Sequence, residues 1–285
     1  MSLFQSQKKK AMKNRSKELA LLQEERRNLL SSSRDFFMQE AYKTLRTNVN
    51  FSLTEDTTGG KLIAVTSALQ SEGKSFTAVN LAISYAQTDR RVLLVDCDLR
   101  RPKLSRLLQV SASAGLSNLL VTPALLPEAI QPSGVEKLDV ILSGDIPPNP
   151  SELLGSTRME RFLAVVKERY DYIILDTPPV CMVTDAAVLA SKVDGVLFVV
   201  RAGKSERPAV VQAVDQLAYA QAKILGFVLN GVDLDKGGYG YKKYRYKKYG
   251  KYSYRNHGYG YGYGYGYGYG YGHQPPQQED EKVSK

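Results

Sequence analysis

The stretch KLIAVTSALQSEGKSFTAVNLAISYA, residues 61–86, reads in order as an apolar strand, a turn containing glycine, and an amphipathic helix. That order is what a phosphate-binding loop requires. Backbone N–H groups at the helix N-terminus cradle an anion, Gly permits close approach, Lys reaches the β- and γ-phosphates, and a hydroxyl reaches the metal. Gly73, Lys74 and Ser75 supply the demanding end of the pattern, while Ala68 stands where the first glycine is customary. Ser71, Glu72, Gly73, Lys74, Ser75 and Phe76 are therefore the candidate nucleotide-binding residues. A fortuitous surface turn is the plain alternative, and the strand before and helix after it argue against that. Gly203-Lys204-Ser205 serves as an internal control. Phe198 lies five residues ahead of Gly203 and Pro208 follows closely, so this copy reads as an ordinary strand-to-helix turn, near the nucleotide at most.

Outward from this loop, apolar runs recur at 61–68, 91–98, 138–144, 171–177, 195–202 and 224–232, separated by segments long enough for crossover helices. The runs are apolar throughout rather than alternating, as strands covered on both faces are. They predict an α/β fold of the P-loop NTPase type, with a mostly parallel, doubly wound sheet flanked by helices. Ligands in such sheets sit at the carboxyl ends of the strands. Asp96-Cys97-Asp98 closes one such run and Asp176 closes another. Two carboxylates at one strand end, Asp96 and Asp98, with Asp176 at another, can divide metal binding and substrate contact. A lone strand-end aspartate is commonplace as a cap; three beside a phosphate loop are not.

The 285 residues carry a net charge of +10, unevenly placed. Residues 1–34 and 236–272 are strongly basic, the latter with no acid, which leaves residues 35–235 mildly acidic. The expected organisation is a basic extension (1–34), one domain (35–235) and a disordered basic tail (236–285). The tail holds fourteen of the nineteen tyrosines, spaced by glycine and lysine: Tyr239, Tyr241, Tyr244, Tyr246, Tyr249, Tyr252, Tyr254, Tyr259, Tyr261, Tyr263, Tyr265, Tyr267, Tyr269 and Tyr271. The tyrosine-rich segment 236–272 has no aliphatic residue with which to build a core. No run approaches the roughly 18 apolar residues of a membrane span, and the first residues lack a secretory apolar block, so a cytoplasmic protein is expected. Cys97 and Cys181 sit in apolar runs without metal-ligand spacing and read as reduced thiols.

Five stretches together resemble the bacterial tyrosine kinases of capsule and exopolysaccharide synthesis. They are TSALQSEGKSFTAVNLA, VLLVDCDLRRP, YDYIILDTPP, IPPNPSELL and EAYKTLRTN, and they fall within residues 38–232. The resemblance implies ATP and Mg2+ as cofactors. Lys74 and Ser75 would hold phosphates and metal, Asp98 and Asp176 would share the metal with Ser75, and Asp96 would take or orient the phenol proton. Asn230 resembles the position that reads adenine in related ATPases, with a capping role as the alternative. The resemblance further implies protein tyrosines as substrates, the tail tyrosines as phosphoacceptors, and a membrane-anchored activator that recruits the kinase to the inner face of the membrane. It also implies a ring-like oligomer held by a Glu-x-x-Arg-x-x-Arg stripe, here Glu40, Lys43 and Arg46, with Lys replacing the first Arg.

A second reading is a partitioning or positioning ATPase of the same fold, switching a dimer on membrane or DNA. Such proteins carry a signature lysine early in the phosphate loop, where Leu69 stands here. For the tail, stacking on single-stranded nucleic acid competes with the phosphoacceptor role; specific nucleic-acid binding is not expected.

Overall fold

The computed structural model describes residues 19–20, 22–33, 35–53 and 59–232. The tyrosine-rich tail and most of the basic N-terminus lie outside the described residues. Seven strands form one sheet in the order β3-β4-β2-β5-β1-β6-β7. They are β1 (Lys61–Ser67), β2 (Val92–Asp96), β3 (Ile130–Pro132), β4 (Leu138–Ile141), β5 (Tyr172–Asp176), β6 (Gly195–Arg201) and β7 (Ile224–Asn230). All neighbours pair in parallel except β3, which runs antiparallel to β4 at the edge. The six apolar runs are all strands. The three-residue β3 is too short to leave a periodic signature.

The helices that position the site are α1 (Phe36–Ser52), α2 (Lys74–Ala86), α3 (Leu104–Leu108), α4 (Leu116–Val121), α5 (Leu126–Ala129), α6 (Pro150–Gly155), α7 (Thr157–Arg169), α8 (Asp185–Ala190) and α9 (Arg207–Tyr219). Asp35 caps α1 by accepting hydrogen bonds from the amides of Phe37 and Met38. Alternation along the strands splits the core in two. Leu62, Ala64, Leu93, Val95, Ile173 and Leu175 face α7, α8 and α9, whereas Ile63, Val65, Val92, Leu94 and Ile174 face α1 and α2. Burial on both faces explains why these strands read as continuous apolar runs.

Residues 22–33, taken from sequence as part of a basic extension, pack onto the second of these faces. Leu29 and Leu30 are buried there, and the Leu30 amide donates to Asn80 Oδ1 on α2 at 2.8 Å. Among the described residues no helix is long and apolar enough to cross a membrane. Cys97 is buried and Cys181 half-buried; both are free thiols.

Candidate active site

The phosphate loop turns sharply between β1 and α2. Ser71 (φ 62°) and Gly73 (φ 100°) both take left-handed backbone conformations. At Gly73 the need for glycine is twofold, since a Cβ there would also lie 1.8 Å from Asn230 Nδ2. We expect Gly73→Ala to weaken nucleotide binding by about tenfold or more, because a Cβ there adds both backbone strain and a clash. Titration with a fluorescent ATP analogue checks this.

Lys74 and Ser75 open α2, and both are buried. The Lys74 ammonium lies 2.9 Å from Asp98 Oδ2 and 3.4 Å from Asp176 Oδ1. Asp98 also accepts the Arg101 amide at 3.0 Å. Burial pulls the Lys74 pKa down, but Asp176 and Asp98 outweigh it, so the net shift is upward and the ammonium stays charged. Asp176 moves up through burial, opposed by Lys74 and Ser75.

Asp96 is fully buried beside them, and both its oxygens are occupied. Oδ1 accepts the Asp98 amide, and Oδ2 accepts the amides of Lys103 and Leu104 at the start of α3, each at 3.2 Å. Desolvation, then the charge of Asp176, pushes its pKa up to about 8. In this conformation the group accepts at the start of α3, as the capping alternative has it, and lies beside the other acids.

Next to these acids opens a cleft of about 270 Å³. Ser71, Gly73, Lys74, Ser75 and Phe76 form one wall, Lys103 and Leu107 a second, and Arg201 and Lys204 a third. The cationic lining suits a polyanion. Glu25, carried in by residues 22–33, also lines the cleft; burial raises its pKa against the opposing pull of Lys103 and Arg201. No spacing in the sequence announces that placement, because Glu25 belongs to no motif.

The site residues for a metal pass a test of fit. Asp176 Oδ2 is buried without a hydrogen-bond partner, which is costly unless something binds it. Among the described residues no group of three or more His, Cys, Asp or Glu closes into a metal cage. Mg2+ does not need one, since it takes one or two carboxylates, keeps waters and shares substrate phosphates.

Three of the expected nucleotide-binding residues, Glu72, Asp176 and Asn230, lie outside the cleft lining. The Glu72 carboxylate is buried beneath the loop and does not line the cleft. Asn230 Nδ2 donates to the Glu72 carbonyl at 3.0 Å, bracing the loop. In the oligomer stripe, Glu40 and Lys43 pair with each other at 2.8 Å, while Arg46 turns inward to the Ser84 carbonyl and hydroxyl.

The family model described as an AAA domain matches residues 60–222. The tyrosine-protein kinase YwqD of Bacillus subtilis is 40% identical over 203 residues, 71% of this chain and 85% of that protein. The chain belongs to the bacterial tyrosine-protein kinase family. The tyrosine-protein kinase CpsD of Streptococcus agalactiae is 38% identical over 214 residues, 75% of this chain and 90% of that protein. The solved kinase domain of Escherichia coli tyrosine kinase ETK superposes with a TM-score of 0.65 at 36% identity, covering 79% of this chain and 80% of that one. The positioning ATPases of the alternative reading are more distant: the septum site-determining protein MinD of Pyrococcus horikoshii, at 24% identity and a TM-score of 0.52, shares the fold alone. This protein is thus a tyrosine kinase built on a nucleotide-binding P-loop fold, unrelated in architecture to kinases whose phosphates lie under a Gly-x-Gly-x-x-Gly loop.

Proposed function

We propose that this kinase transfers the γ-phosphoryl group of Mg2+-ATP to tyrosines, foremost those of its own tail at 239–271, in the control of capsule or exopolysaccharide production. The observation that carries the ligand assignment is the Lys74 ammonium held between Asp98 and Asp176 at the start of α2, with Asp176 Oδ2 left unpartnered. Phosphates would rest on the amides of 71–76 and on Lys74, and Mg2+ would be held by Ser75, Asp98 and Asp176. Held by those residues, Mg2+ would supply charge neutralisation to the transferring group. The phenol oxygen forms the new bond to phosphorus as the bond to ADP breaks. The phenol proton would pass to the Asp96/Asp98 pair, and for Asp96 to take it the carboxyl must start ionised and release one of the amides it accepts.

The tyrosines of the domain itself favour the tail as acceptor. Tyr42, Tyr85 and Tyr170 are buried, and Tyr172 is stacked on Tyr85 with its hydroxyl donating to Asn50. Of the five, Tyr219 alone is strongly exposed, at 89%. Among the described residues few tyrosines are accessible as acceptors, and the tail sequence holds fourteen more.

A membrane-anchored activator and a ring-like oligomer belong to the same reading. Lys43 is exposed and Glu40 half-buried, and these two are the members of the stripe available for subunit contact, while Arg46 would have to leave Ser84 to join them. Mass spectrometry of the purified chain after timed exposure to Mg2+-ATP tests the proposal. Phosphate is expected on tyrosines between 239 and 271. ATP turnover without phosphotyrosine in wild-type protein would instead favour the positioning ATPase.

A further inference from the structure

Gly203-Lys204-Ser205, the turn between β6 and α9, brings Lys204 to the cleft wall, and the structure also folds the turn against the phosphate loop. The Ser205 hydroxyl donates to Glu72 Oε1 and accepts the Arg201 amide at 2.8 Å. Glu72 is 1% exposed, and its other oxygen accepts the Leu69 amide at 2.8 Å. Among the described residues Glu72 has no ion-pair partner, so two neutral donors are what stabilise a buried carboxylate. Lys204 Nζ donates to the carbonyls of Gln70 and Ser71 at 3.3 and 3.2 Å.

These contacts have a common logic. A loop that turns its amides inward toward an anion turns carbonyls outward, and those carbonyls need donors of their own. Here Lys204 and Asn230 supply donors to the carbonyls of three successive residues, 70–72. Ser71 holds a left-handed φ without being glycine, and Ala68 occupies the place of the first glycine, so the loop conformation rests more heavily on outside support. We infer that Ser205 and Lys204 are positioning residues for nucleotide binding, acting through Glu72 and the carbonyls of Gln70 and Ser71 to hold the phosphate loop in its anion-accepting form. This rests on the assignment of the cleft to ATP.

The test compares wild type, Ser205→Ala and Ser205→Thr in the full chain, reading the KM for ATP and kcat for phosphotyrosine formation, together with Tm. Removing the hydroxyl leaves a buried carboxylate short of a donor. Ser205→Ala is expected to raise the KM for ATP by about tenfold, with kcat at saturating ATP within about twofold of wild type. Ser205→Thr, which keeps the hydroxyl, restores the wild-type KM. Should Ser205→Ala fail to fold, Ser205→Cys, which keeps the size but has a weaker donor, is expected to raise KM in the same direction. An unchanged KM, with only a lower Tm or a smaller active fraction, overturns the inference. Absence of ATP binding by the wild-type protein would instead overturn the cleft assignment.

Discussion

Lys74→Met should lower the rate of tyrosine phosphorylation by at least about 10²- to 10³-fold, the loss seen when one preorganised group that stabilises developing charge is removed. The ammonium is 7% exposed and lies within 3.4 Å of two carboxylates, so little water is available to replace it. The substitution also leaves Asp96, Asp98 and Asp176 facing one another without their internal counterion. Desolvation already raises Asp96 and Asp176, and without Lys74 both should rise further, because the neighbouring cation is what lowers them. The variant should therefore lose phosphoryl transfer even where it folds. Measurement of phosphotyrosine by quantitative blot beside Tm separates chemistry from stability. Residual activity within about tenfold of wild type would place the phosphate-binding cation elsewhere in the cleft.

The motif residues were legible because each carries a local signal. The strand runs lack alternation since both sheet faces are covered, and Gly73-Lys74-Ser75 follows a strand and opens a helix, so its chemistry could be read from order alone. Asp96, Asp98 and Asp176 were placed together by the rule that strand ends converge, and β2 and β5 are indeed neighbours with Asp96 paired opposite Asp176. What could not be read was contact between residues distant in sequence with no pattern linking them. Glu25 reaches the cleft across the whole of α1 and β1. Arg46 carries the spacing of an exposed stripe but finds Ser84 on α2, a contact that only the packing of two helices creates. The turn at 203–205 reads from sequence as an ordinary strand-to-helix turn, and what the sequence does not show is that Lys204 and Ser205 meet Gln70, Ser71 and Glu72 of the phosphate loop. Lysine and serine are chosen there for their donors, and sequence identity does not say which acceptors they will meet.

Arg100→Ala should lower the stability of the domain by about 2 kcal/mol, which for its size corresponds to a fall in Tm of roughly 4–8 °C. Arg100 follows the Asp96-Cys97-Asp98 strand end, and its guanidinium grips Asp185 by a fork, with Nε to Oδ2 at 3.0 Å and Nη2 to Oδ1 at 3.1 Å. Asp185 is fully buried at the start of α8 and also accepts the Ser151 hydroxyl at 2.5 Å, so the cluster ties together the loops after β2, β4 and β5. Breaking a buried pair costs about 3–5 kcal/mol when the survivor keeps an uncompensated charge. The Arg100 side chain is 41% exposed, which lets water screen the pair and reduces the expected loss. Arg100→Lys should recover only part of it, because a point charge cannot reproduce the fork. The cause can be isolated with Arg100→Ala/Asp185→Asn: if the cost comes from an abandoned buried carboxylate, the double variant, whose amide is neutral, should be more stable than Arg100→Ala alone. A double variant that melts lower would show that Asp185 is held chiefly by its hydroxyl partners, and that the three loops are joined by geometry rather than by charge.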